Sequence, residues 1–345
     1  MDEHRVVVIG TSAGGVEALI DLVPKLPHDF GAPICIVLHI PAESPSLLAS
    51  ILDRRTPLRV IEATEGLPLT QGTVYIAPPD RHLTIDTDRT LLVTRGPREN
   101  RHRPAVDPLF RSAALAYGSG AVGVILSGSL DDGTAGLLAI KRAGGMAVVQ
   151  SPQDALYPSM PQSAVENVDN IDFVVPLDEM PSVLEQCLTT ARLAPVPHTG
   201  LEQMDMEKKI SEMDEGAMAA EDRPGQPSAF SCPDCGGVLW EIADGEYARF
   251  RCRVGHAFSP EAMLGAQSDV LEEALWSALK TLEESATLAR RLANAERERG
   301  HHWMMKRFHE RESEARERAE VIRKVLARTD GTVPAETMEK TSAES

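Results

Sequence analysis

Continuous runs of valine and isoleucine over the first 190 or so residues constrain the fold of this chain more than any other feature. Four such runs lie between helical patterns, at Val6–Ile9, Ile34–Leu38, Val122–Leu126 and Met146–Val149. Runs that are apolar at every position are typical of parallel strands covered on both faces. The pattern therefore predicts an α/β fold built on a mostly parallel, doubly wound sheet.

Shorter elements complete this predicted domain, which spans residues 1–193. Helical patterns are found at Gly15–Pro24, Asp107–Ala116, Thr134–Ala143 and, as a closing helix, Met180–Leu193. Three short strand-like stretches with turn residues between them are predicted to form an antiparallel addition to the sheet: Thr73–Ala77, His82–Ile85 and Thr90–Thr94.

The second half of the chain divides into four predicted regions. Residues 194–228 are acidic and proline-rich and are predicted to be a linker that can include a short helix at Glu202–Met213. Residues 229–259 form a compact cysteine- and glycine-rich module. Residues 260–330 are strongly helical, and residues 331–345 are predicted to be a disordered tail. Low apolar content without periodicity is typical of linkers and tails, because such segments cannot bury a core.

Apolar spacing in residues 260–330 predicts a helical hairpin or one long bent helix. Residues spaced by three and four form two runs on either side of Gly300: Leu271, Leu275, Ala278 and Leu282, then Ala315, Ala319, Ile322 and Leu326. Helices of this kind either self-associate or pack on their own domain, and the pattern leaves both open.

The charge of the chain excludes general nucleic-acid binding, which needs a basic face. The formal net charge is -17, and residues 151–250 hold 19 acidic and 5 basic residues, a balance of -14. No stretch approaches the roughly 18 consecutive apolar residues of a membrane span, so no membrane insertion is expected. The five cysteines are an odd number and no signal peptide is visible, which favours a reducing, cytoplasmic compartment.

A Gly-x-Ser-x-Gly sequence places Ser12 on a sharp turn between the first strand and the first helix. The backbone N–H of Ala13, at the start of the helix, is positioned to stabilise an oxyanion. A dinucleotide-binding loop is the competing interpretation, but it would have a glycine at position 12 and an acidic residue at the end of the second strand. Here the second strand ends in His39.

The carboxyl ends of neighbouring parallel strands meet at one edge of the sheet, which brings Ser12 and His39 together. A serine hydroxyl needs such a base because it is a poor nucleophile at its own pKa. An acid that orients the histidine is expected at another strand end, and Asp131 and Asp132 both follow Val122–Leu126. The spacing alone does not choose between the two aspartates.

Five sequence blocks in the same order resemble the catalytic domain of the CheB-type protein-glutamate methylesterases of bacterial chemosensory pathways: VVVIGTSAGGVEAL, IVLHIP, YIAPPDRHL, NRHRPAVDPLFRSAA and AVGVILSGSLDDGTAGLLAIKRAGG. The resemblance implies that Ser12 is the nucleophile, His39 the base and Asp132 the orienting acid. It also implies backbone oxyanion donors at Ala13 and Ser129, and no catalytic cofactor. The family loop usually reads Gly-Met-Gly-Asn-Asp-Gly, whereas Gly128–Gly133 here reads Gly-Ser-Leu-Asp-Asp-Gly.

The resemblance implies hydrolysis of glutamate methyl esters on chemoreceptor-type signalling proteins to glutamate and methanol, with glutamine deamidation in some members. Arg101 and Arg103 are expected to position the acidic substrate helix. Family members usually carry a receiver domain before this region, so control is expected from a regulatory partner or a receiver in trans. A non-enzymatic adaptor of the same fold and a hydrolase of another ester are the alternative functions.

Cysteine and histidine spacing in the C-terminal module predicts a structural zinc site. Cys232 and Cys235 form a C-x2-C knuckle, and Cys252 and His256 form a C-x3-H knuckle. Four ligands of these types suit tetrahedral Zn²⁺, and the absence of an open position favours a structural ribbon over a catalytic metal. Free thiols in a small module are the alternative interpretation.

Overall fold

The computed structural model describes residues 5–44, 46–191, 201–220, 223–244 and 247–329, and the chain divides into two compact units at Leu264. The α/β part of the first unit contains nine strands: β1 (Val6–Thr11), β2 (Ile34–Leu38), β3 (Arg59–Glu62), β4 (Thr73–Ile76), β5 (His82–Ile85), β6 (Leu91–Thr94), β7 (Ala121–Ile125), β8 (Met146–Gln150) and β9 (Phe173–Val175). Its helices are α1 (Gly15–Leu22), α2 (Leu48–Asp53), α3 (Val106–Tyr117), α4 (Thr134–Arg142), α5 (Ser159–Asn167) and α6 (Met180–Thr189).

Seven of these strands form one parallel sheet in the order β3-β4-β2-β1-β7-β8-β9. The chain leaves β1 toward one side through β2 and later returns to its other side with β7. The sheet is therefore doubly wound about β1, which confirms the predicted fold class. Ligands of such sheets bind beyond the carboxyl ends of the strands where the order reverses.

Alternate residues of β1 explain why the run is apolar at every position. Val6 and Val8 lie in one buried cluster, whereas Val7 and Ile9 lie in another. The first cluster includes residues of α3 and α4, and the second includes residues of α1 and α6. Both faces of the central strand are thus covered by helices, and none of these four residues is exposed.

The predicted antiparallel addition is only partly correct. β5 and β6 form a separate antiparallel hairpin, in which His82 pairs with Thr94. β4 is instead an interior strand of the main sheet, parallel to both β2 and β3. The prediction for Thr73–Ala77 was wrong because it was based on the short turns that follow this stretch, whereas β4 pairs with β2 and β3, which precede it, and all four of its residues are buried.

The predicted linker contains two helices, α7 (Leu201–Ser211) and α8 (Glu215–Ala219), within the compact first unit. Glu207 and Ile210 are fully buried, and the carbonyl of Ser211 accepts a hydrogen bond from Thr94 Oγ1 of β6 (3.1 Å). The short helix predicted at Glu202–Met213 is present as α7, but it is packed into the first unit, so the linker description does not hold for it. The acidic composition suggested exposure because it does not show that Glu207 pairs with basic residues far along the chain.

The C-terminal module is a four-stranded antiparallel sheet of β10 (Gln226–Ser231), β11 (Val238–Asp244), β12 (Tyr247–Cys252) and β13 (Ala257–Phe258). Two long helices follow, α9 (Pro260–Glu298) and α10 (His302–Thr329). Gly300 between them has φ +77°, which ends the helix. In the second unit the two helices pack as a hairpin, with Leu279 against Ala319 and Leu326.

No helix among the described residues is both long enough and apolar enough to cross a membrane. The predicted tail, residues 331–345, lies outside the described residues.

Candidate active site and metal centre

The Ser12 turn connects the end of β1 to α1 and is tied to the end of β7. The N–H of Ser12 donates to the carbonyl of Ser127 (3.0 Å), and Ser127 Oγ donates to the carbonyl of Ala13 (2.9 Å). Gly14 has φ +73°, and a Cβ there would lie 2.8 Å from Ser127 Oγ. Glycine is therefore required for a turn that holds Ser12 between two strand ends.

His39 is the residue after β2, and its N–H donates to the carbonyl of Thr11 at the end of β1 (3.1 Å). Its Nε2 donates to Oδ2 of Asp132 (2.7 Å), and both side chains are nearly inaccessible. A carboxylate only accepts, so the proton is on Nε2 and Nδ1 carries the free lone pair of the neutral ring. Nδ1 is buried without a hydrogen-bond partner among the described residues, and Ser12 lines the same cavity of about 350 Å³.

Asp132 is held in one orientation by donors from two other segments. Oδ2 also accepts the N–H of Val106 (2.6 Å), and Oδ1 accepts Asn100 Nδ2 (2.8 Å) and the N–H of Asp107 (3.3 Å). Burial acts to raise the pKa of Asp132, but the contact with His39 and these donors outweigh it and hold the pKa well below its ordinary value. The carboxylate is therefore ionised whenever His39 needs a counter-charge.

Two aspartates cap each other's helices at the carboxyl edge of the sheet. Asp132, just before α4, accepts from the first N–H groups of α3, whereas Asp107 in α3 accepts from Gly133 N (3.1 Å) and Gly136 N (2.7 Å) of α4. Helix N-termini favour such anions. The structure thus distinguishes the aspartates that the sequence left open: Asp132 contacts His39, and Asp131 contacts other groups.

His102 packs against His39 and was not found from the sequence. The two rings stack with centroids 3.7 Å apart and an angle of 10° between their planes. Burial, and then the charge of His39, lower the pKa of His102 to about 3, so this ring is neutral at neutral pH. The only sequence signal for His102 was its position in the RHRP block, which we interpreted through its two arginines.

Arginines surround the cavity, but the two predicted ones have different environments. Arg101 lines the cavity together with Arg98, Ser12 and His39. Arg103 also lines it, yet its guanidinium binds Asp80 Oδ1 through Nη2 (2.6 Å) and the carbonyl of Gly96 through Nη1 (2.7 Å). This geometry suits Arg103 to bracing the cavity wall.

The predicted zinc ligands lie together in the C-terminal module. Donor atoms of Cys232, Cys235, Cys252 and His256 all lie within 4.8 Å of one another. Cys235 Sγ is 3.7 Å from Cys252 Sγ, and Cys252 Sγ is 3.6 Å from His256 Nδ1. Bond lengths of about 2.0–2.3 Å around tetrahedral Zn²⁺ require edges of roughly this length, so the four residues fit the metal.

The arrangement of Ser12, His39 and Asp132 agrees with the similarity of the chain to known proteins. The profile of the CheB methylesterase family matches residues 7–184. The chain belongs to the CheB methylesterase family. This membership confirms the predicted resemblance and the predicted enzyme class, a hydrolase of methyl esters.

Individual relatives are similar to about half of the chain. A relative from Leptospira interrogans, named for protein-glutamate methylesterase and protein-glutamine glutaminase, is 42% identical over 177 residues, which is 51% of this chain and 91% of the relative. A protein-glutamate methylesterase/protein-glutamine glutaminase of Myxococcus xanthus is 40% identical over 46% of this chain and 47% of its own length.

A solved structure matches the same α/β part. The crystal structure of the Thermotoga maritima CheB methylesterase catalytic domain superposes with a TM-score of 0.51 at 35% identity, over 53% of this chain and 98% of that domain. The α/β domain therefore accounts for the similarity to this CheB methylesterase domain.

Proposed function

We propose that this CheB-family chain hydrolyses methyl esters of glutamate side chains through Ser12, His39 and Asp132. The observation that carries the proposal is the environment of His39: Nε2 is bound to Asp132, Nδ1 has no hydrogen-bond partner among the described residues, and His39 lines the same cavity as Ser12. A serine, a histidine and an acid in this relation form the general machinery of acyl transfer.

The reaction then proceeds through an acyl-enzyme. Ser12 Oγ attacks the ester carbonyl while His39 Nδ1 takes its proton, and the same proton leaves with methanol. Water attacks the acyl-serine with His39 again as the base. Asp132 stabilises the imidazolium, and the N–H groups of Ala13 and Ser129 are the proposed oxyanion donors, each worth about 10²–10³ in rate.

The substrate we propose is a methylated chemoreceptor-type signalling protein, because the relatives are named for protein-glutamate methylesterase activity. Arg98 and Arg101 on the cavity wall suit an acidic helix. The same names include protein-glutamine glutaminase, and attack on a glutamine amide would follow the same steps with ammonia as leaving group. Regulation by a partner or by a receiver domain in trans remains part of the proposal.

We also propose that Zn²⁺ occupies the four-ligand cluster as a structural ion, with no step of the hydrolysis routed through it. The five cysteines are all unpaired, which suits the proposed cytoplasmic location. Self-association is proposed for the α9–α10 hairpin. Its exposed large apolar residues, Trp276, Leu288, Trp303 and Val321, support this.

Methanol release from a glutamate γ-methyl ester peptide and from a methylated receptor tests the function. We expect release by the wild type and a loss of at least about 10³-fold for Ser12→Ala. Ser182→Ala is the matched control, because Ser182 is an exposed serine of α6 whose hydroxyl bonds the Glu179 carbonyl. Equal rates for wild type and Ser12→Ala would refute the mechanism, and no release by either would favour a non-enzymatic adaptor or another ester.

A further inference from the structure

The loop that carries Asp132 is held by two hydroxyl groups of the C-terminal module. Asp131, the residue before Asp132, accepts hydrogen bonds from Tyr247 Oη at Oδ2 (2.9 Å) and from Ser259 Oγ at Oδ1 (2.5 Å). Asp131 and Ser259 are each only 2% exposed. Burial raises the pKa of Asp131 to about 6, and both hydroxyl donors oppose that rise by favouring the carboxylate.

A second connection reaches Asp132 itself through Asn100. The N–H of Ser259 donates to Asn100 Oδ1 (2.8 Å), and Asn100 Nδ2 donates to Asp132 Oδ1 (2.8 Å) and Asp107 Oδ2 (2.9 Å). Two carboxylates on one side and an N–H on the other fix the orientation of the amide. Backbone bonds from Asn100 N to Ala257 O (2.8 Å) and from Ala257 N to Arg98 O (3.2 Å) join β13 to the cavity wall.

Buried ion pairs fix the module against the α/β domain. Glu207 of α7 binds Arg249 through both carboxylate oxygens (2.6 and 2.9 Å) and Arg251 (3.0 Å). Arg251 also binds Glu99 (2.9 Å), which pairs with Arg111 of α3. Removing either side would leave charges buried without partners, so the module is an integral part of this unit.

The loop needs outside support because of its own backbone. Leu130 has φ +63°, a left-handed conformation that a branched residue adopts only under constraint. Leu130 stands directly before Asp131, and Asp132 follows. The hydrogen bonds to Asp131 therefore stabilise a strained segment. The side chain of the following residue, Asp132, contacts His39, so the position of this segment matters for the site.

We propose that Tyr247 and Ser259 are positioning residues for the hydrolysis, which they support by fixing the Asp131–Asp132 loop so that His39 Nδ1 faces Ser12. The inference rests on the proposed function. The C-terminal module thereby completes an active site whose reacting groups all lie in the α/β domain.

The test uses the full-length chain and measures turnover and the reactivity of Ser12. Turnover is given by kcat and KM for a glutamate γ-methyl ester peptide. Reactivity is given by the rate at which a fluorophosphonate probe labels Ser12 covalently. Tyr247→Phe removes one oxygen atom and is the cleanest variant. Ser259→Ala also removes the cap that Ser259 Oγ gives to Ala262 N (3.0 Å), so Ser259→Thr, which keeps the hydroxyl, accompanies it. Ser228→Ala is the matched control, because Ser228 Oγ donates to the carbonyl of Leu239 and accepts from the N–H of Phe230, both within the module.

We expect Tyr247→Phe and Ser259→Ala each to lower kcat about tenfold, and the double variant about 10²-fold, since small misplacements of a catalytic group cost this much. KM stays within about twofold, because the substrate arginines are unchanged. The labelling rate falls in parallel with kcat, Ser259→Thr recovers most of it, and Ser228→Ala behaves as wild type.

Other outcomes separate the inference from the proposed function. A double variant that labels and turns over like wild type overturns the inference alone. A wild type that labels at Ser12 but releases no methanol refutes the proposed substrate, while the labelling rates still decide the inference. A wild type that does neither refutes both. If Ser259→Ala does not fold, the Tyr247→Phe rates decide.

Discussion

At the scale of single residues, the surroundings of the imidazole ring determine how His39, the proposed general base, can act. His39 has a carboxylate at Nε2, a neutral imidazole stacked on its face and no partner at Nδ1 among the described residues. A ring held in this way has one nitrogen left for chemistry. The low pKa of His102, about 3, is part of this arrangement, because a charged neighbour would oppose formation of the His39 imidazolium.

Substitution of His102 tests this account of the base. We expect His102→Phe to keep kcat within about threefold, since it keeps an uncharged stacked ring. His102→Arg places a permanent cation against His39, which disfavours formation of the His39 imidazolium. We therefore expect kcat to fall about 10²-fold, and the acid limb of the kcat/KM profile to move to lower pH.

The pH dependence of kcat/KM, measured for the three proteins, checks both effects. A His102→Arg enzyme with the wild-type rate and an unshifted acid limb would contradict this role for His102.

Single residues also show where sequence reasoning succeeds and where it stops. Ser12 and His39 were predictable because each directly follows an apolar run, and parallel strand ends meet at one edge. The cluster of Cys232, Cys235, Cys252 and His256 was predictable because the spacing within each knuckle is local. The contact between Tyr247 and Asp131 was not predictable, because nothing in the sequence around either residue indicates a partner 116 residues away.

At the scale of elements, two knuckles of the C-terminal module bring the ligands together. Gly236 N donates to Cys232 O (2.8 Å), and Gly255 N donates to Cys252 O (3.0 Å). Gly255 has φ +109°, and a Cβ there would collide with Pro97 of the α/β domain and Ile210 of α7. The second knuckle therefore packs directly on the α/β domain, immediately before β13 and Ser259.

Metal removal should consequently affect Ser12. We expect chelation, or Cys235→Ser, to lower the melting temperature and to slow fluorophosphonate labelling of Ser12 about tenfold, because β13 and Ser259 lose their fixed position. Zn²⁺ added to chelated wild type restores both properties. Mg²⁺ is the control and does not, because it prefers oxygen ligands.

Melting temperature, labelling rate and metal content are measured on the same samples. Unchanged labelling in protein verified to be metal-free would show that the knuckles do not support the active site.

Elements distant in sequence account for the errors in the predicted fold. β4 was assigned to an antiparallel addition because short turns follow it, yet its partners β2 and β3 precede it. α7 was read as part of a linker because its acidic residues suggested exposure. Glu207 is fully buried, and its charge is balanced by Arg249 and Arg251 from β12. Local composition cannot reveal charges that are neutralised by tertiary contacts.

At the scale of the whole molecule, the boundary between compact units does not follow the family boundary. The match to the family profile ends at residue 184, whereas the first compact unit continues to Leu264. The second unit is a helical hairpin with its own apolar seam and a cross-helix ion pair between Arg323 and Glu283 (2.6 Å). The first unit, and not the family domain, is thus the smallest piece expected to retain a complete site.

Two truncations test this boundary. A chain of residues 1–264 keeps Tyr247, Ser259 and the metal ligands, so we expect Ser12 labelling within about threefold of the full chain. A chain of residues 1–191 leaves Glu99 without Arg251, and we expect a lower melting temperature and labelling slowed about tenfold or more.

Light scattering on the same proteins tests the proposed self-association, which should be lost with the hairpin. A 1–191 chain as reactive and as stable as residues 1–264 would contradict the boundary argued here.

The position of Tyr247 late in the chain also has a consequence for synthesis. Ser12, His39 and Asp132, the proposed triad, are translated first, and N-terminal segments generally fold first as the chain emerges. Tyr247 follows Asp131 by 116 residues, and Ser259 comes later still in the same module. Under the proposed roles of Tyr247 and Ser259, a nascent chain with a folded α/β domain would hydrolyse its substrate slowly until both residues have emerged from the ribosome. Translation would then set the moment at which full hydrolysis begins.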